Sequence, residues 1–403
     1  MSLVDGPFGS LSSCALNCFS TAANQSSCLV SNATCLCLDS TFFTQATDCT
    51  TLDCGVKAGL SATNLTMSIC DIPQASQALI SPVLAGVLGM LALIMVTLRL
   101  IQRTVFNRLF GLDDGLIVAA LICAAPLNCT MFPMQKFGLG TNIWTIPFKH
   151  ITKELELLYV AEVCYMAAEA LTQLSFLAFY LRIFPIPRFQ LICYCLMGLS
   201  ICFGISNTFV MIFQCTPVPY FWSGWTGEYE GTCIDINGYS WYKAAIQIAM
   251  DLGIITLPIW PLLHTAMSTK KKIQIILMFC TGFLITVVSC LRLRSLVVFS
   301  KSTNTTYANT PAIYWSVVEC DVAIICACMP CLPSLLKHLF PSLFGQPSSY
   351  LNGNRSPKYN EHSDGSMPLG RIQKDTSWQV STSETQLVHE PVEESVAMKS
   401  QPA

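Results

Sequence analysis

The stretch SPVLAGVLGMLALIMVTL, Ser81 to Leu98, carries no charged side chain. A helix rises 1.5 Å per residue, so about 20 such residues cross the roughly 30 Å of hydrocarbon in a bilayer. Ser81 followed by Pro82 reads as a helix cap and a first-turn proline. Working outward, six more apolar runs of comparable length appear, giving expected spans near 79–99, 113–134, 157–183, 190–213, 241–263, 273–297 and 312–336. The whole chain agrees: 403 residues, 52% hydrophobic, 11% charged and a mean hydropathy of +0.52. A net charge of -2 provides no basic field to gather phosphates, so nucleic acid is not an expected partner, whereas membrane lipid is.

Basic residues orient the spans. With the N-terminus outside, the inner loops hold Arg99, Arg103, Arg108, Arg182, Arg188 and Lys270 to Lys272, while the longer outer loops hold Lys136, Lys149, Lys153 and Lys301. The positive-inside rule then places the segment before the first span outside the cell and the C-terminus in the cytoplasm. Arg292 and Arg294, near the outer end of the sixth span, do not fit that count.

The outer segment contains eight cysteines: Cys14, Cys18, Cys28, Cys35, Cys37, Cys49, Cys54 and Cys70. Outside the cell, an even number of thiols in a short segment reads as a disulfide framework; zinc is the rival, but the segment has no histidine. The spacing C-x3-C-x9-C-x6-C-x-C-x11-C-x4-C-x15-C resembles the CFEM module of fungal extracellular proteins over residues 14–70. That resemblance implies a helical basket with pairs Cys14–Cys54, Cys18–Cys49, Cys28–Cys35 and Cys37–Cys70. Some relatives hold haem through an aspartate between the third and fourth cysteines. Here the stretch is LVSNAT, with Asn32 at that position, or Ser31 if the alignment slips by one. An amide is a weaker ligand than a carboxylate, so no cofactor is expected and a haem or iron-capturing role is the weaker reading. Asn32 also begins a glycosylation sequon, as do Asn24, Asn64 and Asn304 outside, while Asn354 begins one in the expected cytoplasmic tail.

The motifs GLDDGLIVAA (111–120), FYLRIF (179–184), FQCTPVPYFW (213–222), MDLGIITLPIW (250–260) and VVECDVAIICACMPCLPSLL (317–336) resemble, in this order, the fungal rhodopsin-like integral membrane family. The family includes CFEM-bearing receptors of the G-protein-coupled type associated with surface sensing, and members encoded in mycotoxin clusters. The resemblance implies an all-α membrane protein: an extracellular CFEM-type module (1–75), a seven-helix bundle (76–340) and a disordered cytoplasmic tail (341–403), in the plasma membrane. It implies a receptor-like sensor of an extracellular ligand, with a heterotrimeric G protein as a candidate partner; a membrane accessory or transport protein of a secondary-metabolite cluster is the alternative.

The last span has no lysine before Lys337 to carry retinal, and the histidines are scattered, so no enzyme is expected. Ionisable residues inside spans are the sharper signal, because each must face protein or water. Glu162, Tyr165, Glu169 and Gln173 share one face of the third span, and Asp251, Arg292 and Glu319 lie at depths that reach it. They define a candidate cavity, or else a network that fixes helix packing. Arg292 is the candidate partner of Glu169. Arg182 reads either as a switch arginine or as an inside anchor. Cys215 and Cys233 flank an aromatic loop and are the favoured outer pair, with Cys129 as competitor. Cys328 and Cys331 are palmitoylation candidates, and PSLLKHLFPSLF (333–344) reads as a short interfacial segment. Residues 1–13 have neither a basic start nor an apolar run, so either the first span translocates the outer segment or the sequence begins late.

Overall fold

The structure is a computed structural model that describes residues 8–28, 33–106, 110–259, 269–299, 304–333 and 335, without the side chains of 33, 269–281, 298 and 299. The expected tail, the segment 336–344, the end of the fifth span after 259 and Asn32 lie outside the described residues.

The N-terminal module is built of α1 (Ser13–Gln25), α2 (Ala33–Leu38), α3 (Ser40–Asp53) and α4 (Val56–Ile69). Its core is small, centred on Phe8, Phe19, Phe42 and Leu36. Such a core supports a domain of this size poorly, and disulfides supply the rest. Cys14–Cys54 and Cys18–Cys49 clamp α1 to α3, with Cα atoms 5.9 and 5.7 Å apart. Cys28–Cys35 fastens α1 to α2, and Cys37–Cys70 fastens α2 to the end of α4. Asp39 caps α3, accepting from the backbone N–H groups of Thr41 and Phe42. The Thr41 hydroxyl, first among its partners, holds the Asp39 carboxyl below its ordinary value. A lowered pKa in the folded state means that this stabilisation is present above the usual aspartate range and is lost as pH falls through the folded value. Gly55, at φ 86°, allows the chain to reverse between α3 and α4 without a Cβ penalty.

Seven longer helices follow among the described residues: α5 (Ile80–Ile101), α6 (Leu112–Phe137), α7 (Phe148–Ile183), α8 (Pro187–Ile212), α10 (Ile236–Thr256), α11 (Thr269–Phe299) and α12 (Thr305–Cys328). Five of them, α5, α6, α7, α8 and α12, are long and apolar enough to cross a membrane by length and composition. In α10, Lys243, Gln247 and Asp251 lower the apolarity, and α11 lies partly outside the residues with described side chains. The outward faces of the first spans are apolar: Val83, Val87, Met90 and Ile94 on α5, and Ile201, Ile205 and Phe209 on α8, are all exposed. Polar and small side chains turn inward instead, as a lipid solvent requires. Ala92, Ala120, Ala124, Ala161 and Ala168 are at most 2% exposed and allow close helix packing. Gly282 of α11 is another such contact: a Cβ there would come within 2.4 Å of Ile255.

Two boundaries differ from expectation. α7 begins at Phe148, about two turns before the apolar run, and α12 begins at Thr305 rather than near 312. An apolar run marks the part of a helix that meets lipid; it does not mark the polar turns that continue it toward the module. Ser81 is not a cap. The helix starts at Ile80, and the Ser81 hydroxyl is buried without a partner among the described residues. Cys328 and Cys331 are buried against the bundle rather than presented to a lipidating enzyme.

Between α8 and α10, β1 (Cys215–Thr216) pairs antiparallel with β2 (Thr232–Cys233), and a disulfide joins Cys215 to its register partner Cys233. Cys129 is a free thiol. The loop between the strands contains α9 (Tyr220–Ser223), whose Phe221 and Trp222 pack on Tyr159 of α7, both with ring centroids 5.6 Å away. The module docks on the same end of the bundle. Lys57 pairs with Glu228 of this hairpin, the Gln77 side chain donates to the Tyr307 hydroxyl, and the Gln77 backbone N–H donates to the Gly140 carbonyl.

Disulfide loss should rank by loop length. Opening Cys14–Cys54, with a separation of 40, costs about 4 kcal/mol on the chain-entropy scale; opening Cys28–Cys35, with a separation of 7, costs about 2.5 kcal/mol. Paired Cys→Ser variants of the full chain should therefore differ in surface abundance, the first falling well below the second. Equal abundance would show that the module does not limit folding.

Candidate functional site

The inward stripe of α7 meets α10, α11 and α12 at Tyr165. Its hydroxyl lies 2.9 Å from Glu169 Oε1 and 2.7 Å from Glu319 Oε2, and it accepts from Arg292 NH1 at 2.7 Å. A phenol has one proton, so it donates to one of these carboxylates at a time. Arg292 NH1 also pairs with Glu319 Oε2 at 3.1 Å, and Ser289 donates to Glu319 Oε1. Glu169 Oε2 pairs with Lys243 Nζ at 2.5 Å. The Lys243 and Arg292 cations lie 4.6 and 4.8 Å from the Tyr165 ring centroid, within cation–π range. Two acids thus face two bases around a buried phenol, which is how charge becomes tolerable away from water.

This arrangement corrects one expectation. Arg292 serves Glu319 and Tyr165, and the base that serves Glu169 is Lys243, a residue absent from the expected site. Its signal was present in the sequence: Lys243, Gln247 and Asp251 recur every four residues and all three are buried. Asp251 sits one layer further from the module, where its Oδ1 accepts from Gln173 at 2.8 Å and from Gln247 at 3.4 Å. Glu162 stands apart from the ion pairs; its Oε2 is shielded and has no hydrogen-bond partner among the described residues.

The charged layer separates two cavities. The one on the module side is lined by Glu162, Tyr165, Lys243 and Arg292 among apolar side chains that include Leu158 and Ile313. The one beyond it is lined by Tyr165, Glu169, Gln173, Asp251, Glu319 and neighbours. Tyr165 lines both.

A second knot forms at the end of the bundle away from the module. Arg99 bonds Asp114 through Nε at 2.8 Å, Asp113 through NH2 at 2.6 Å and the Ala327 carbonyl through NH1 at 2.5 Å. Arg182 approaches Asp113 at 3.2 Å and Asp114 at 3.6 Å, and Arg103 reaches both at about 3.5 Å. Arg182 is therefore more than an anchoring charge, since it ties α7 to the start of α6. Its acids lie on a different helix, about 70 residues earlier, so no acid next to it in sequence marks the contact. Asp321 of α12 accepts from Asn128 of α6 at 2.9 Å.

In the module, Cys18 and Cys49 lie beside Asp53, a donor set suited to a metal in the reduced state, but the two sulfurs are bonded to each other. No carboxylate lies between Cys28 and Cys35, and the nearest one in sequence, Asp39, is used as the cap of α3. Asn24 and Asn64 are exposed. Asn304 is half-buried, with its amide bonded to Asn142 and to the Ile143 N–H.

Fold and site define a helical membrane protein with a disulfide-stapled N-terminal domain and an ion-paired, cavity-bearing bundle. The family model described as the fungal rhodopsin domain matches residues 98–338, and the chain belongs to that family; the CFEM domain model matches residues 7–71. Among curated proteins, the chain is 29% identical over 209 residues to a SAT4 family membrane protein of Emericella nidulans, covering 51% of this chain and 52% of that one. It is 28% identical over 180 residues to Satratoxin biosynthesis SC1 cluster protein 4 of Stachybotrys chartarum, covering 43% and 63%. It is 23% identical over 235 residues to Fugralins biosynthesis cluster protein 2 of Gibberella zeae, covering 55% and 58%. The chain thus spans between about half and 63% of the length of these relatives. No solved structure matches.

Glu169→Gln should strand the Lys243 ammonium, at a cost of about 3 to 5 kcal/mol, and lower the folded yield of the full-length protein. Adding Lys243→Met should recover most of that yield, because the pair is then removed together. If the double variant is no better than Glu169→Gln alone, the carboxylate does not act through Lys243.

Proposed function

We propose that the protein is a receptor-like sensor of the plasma membrane, with the module outside and the Arg99–Asp113–Arg182 knot at the cytoplasmic end. The observation that carries this reading is the charged layer itself. It joins four helices, lines a cavity on the module side, and contains a phenol that can donate to either of two carboxylates. A ligand entering that cavity meets groups whose pairing fixes how α7, α10, α11 and α12 sit against one another. Signalling requires such a two-state element. The distant arginine–aspartate knot, which links α5, α6, α7 and α12, is the element through which a shift would reach a cytoplasmic partner, for which a heterotrimeric G protein is the candidate.

The test measures G-protein recruitment to the full-length protein on cells brought into contact with a hydrophobic surface, normalised to surface abundance. Tyr165→Phe keeps the ring and removes the proton, and should lower recruitment at least about tenfold at similar abundance. Recruitment that is absent in the unmodified protein, or unaltered in Tyr165→Phe, overturns the reading.

A second reading, membrane transport or an accessory role in a secondary-metabolite cluster, is favoured by the relatives named for the satratoxin and fugralins clusters. Two cavities in series across one charged layer also suit a gated passage. Deleting the gene and measuring metabolite inside and outside the cells separates the two: altered partitioning supports passage, and unchanged partitioning supports sensing.

The proposed orientation makes its own prediction. Glycan mapping on the full-length protein should find Asn24 and Asn64 occupied and Asn354 bare; Asn32 and Asn304 are further candidates, the latter only if its amide leaves Asn142. A glycan on Asn354 would invert the topology.

A further inference from the structure

The module-side cavity is lined by two charged groups that each keep atoms free of hydrogen bonds among the described residues, and they are of opposite kind. Arg292 uses NH1 on Tyr165 and Glu319, while its Nε and NH2 have no acceptor among the described residues. These two atoms form the edge of a guanidinium that takes a carbonyl or carboxylate oxygen with two parallel bonds. Glu162 Oε2 accepts no hydrogen bond of good geometry among the described residues, although the Gln214 amide and the Arg292 guanidinium lie near enough to act on its charge. An ionised carboxylate accepts only, so what it lacks is a donor. The charge count agrees. Glu169 and Glu319 are matched by Lys243 and Arg292, and Glu162 is the remaining acid on this cavity. Most of the other lining is apolar, including Leu158, Met166, Met211 and Leu296.

We infer that this cavity binds a small amphipathic primary amine with an adjacent carbonyl or carboxylate oxygen, the pattern of an apolar α-amino acid or its ester. The ammonium pairs with Glu162, the oxygen docks on the Nε/NH2 edge of Arg292, and the apolar body fills the space lined by Leu158, Met166 and Leu296. A plain carboxylic acid satisfies Arg292 but faces Glu162 with like charge. A plain amine satisfies Glu162 but leaves the guanidinium edge open. Only the combined pattern compensates both. The inference rests on the reading of this cavity as a ligand site and names its ligand class.

The test uses purified full-length protein in nanodiscs, with thermal unfolding and calorimetric titration against four probes: L-phenylalanine, its methyl ester, N-acetyl-L-phenylalanine and phenethylamine. The first two should bind and raise the unfolding temperature, and the last two should bind at least about tenfold more weakly. Glu162→Gln removes no ion pair, so it should unfold at the same temperature as the unmodified protein or above it. It should also lose at least about tenfold in affinity for phenylalanine. Failure of both amine–oxygen probes to bind, equal binding by N-acetyl-phenylalanine or phenethylamine, or undiminished affinity in Glu162→Gln overturns the inference. The readout involves no signalling. Probe binding without G-protein recruitment on cells therefore keeps the ligand class and removes the receptor reading; surface-driven recruitment without probe binding does the reverse.

Discussion

A charge buried away from water needs a partner within hydrogen-bond reach, and the bundle is organised by meeting that need around one tyrosine. Desolvating an isolated carboxylate or ammonium costs more than most single contacts return, so Glu169, Lys243, Arg292 and Glu319 are tolerable only as a set. Each comes from a different position along the chain, and Glu169 and Tyr165 of α7 are served by bases on α10 and α11 and by an acid on α12. Helix association in lipid has little hydrophobic drive, because the tails are as apolar as the side chains. Here the missing drive is supplied by small residues that let helices approach and by charges that have nowhere else to pair. The arginine–aspartate knot repeats the device at the far end, with three bases sharing two acids.

The same logic explains the asymmetry between the two ends. The end away from the module is closed by direct ion pairs and by the Arg99 bond to the Ala327 carbonyl. The module end is closed by a separate domain and a disulfide-linked hairpin, and Gln74, after the module, accepts from Asn142 and Trp144 of the loop between α6 and α7. Gly140, at φ 82°, lets the loop approach the backbone of Gln77 and Ala78 so closely that a Cβ would collide with it. An end built from loops and a stapled domain can rearrange more readily than one locked by buried arginine.

Much of this was legible in the sequence, for physical reasons. Hydrocarbon imposes a length and an apolarity on whatever crosses it, so α5, α6 and α8 could be read directly, and dense cysteines before the first span pointed to a disulfide module. The stripe of Glu162, Tyr165, Glu169 and Gln173 was legible because helical spacing puts residues seven apart on one face. Lys243 was not, although it shares its spacing with Gln247 and Asp251. It falls near aromatic residues at the end of a span, where a lysine ordinarily reaches out to the interface. The Arg182 contact was illegible in principle from α7 alone, since its acids are supplied by α6. Periodicity tells which face of a helix is polar; only the packing tells which other helix answers it.

The connection between the N-terminal module and the bundle is short. Cys70 ends the last stapled turn, and Ile80 already begins the first span. A tether of that length keeps the two parts at an effective concentration in the millimolar range. The exposed Lys57–Glu228 pair can therefore open and re-form without the module being lost, although such a pair alone is too weak to hold two free proteins together. Opening of this pair is thus a local equilibrium, sensitive to ionic strength and unaffected by dilution.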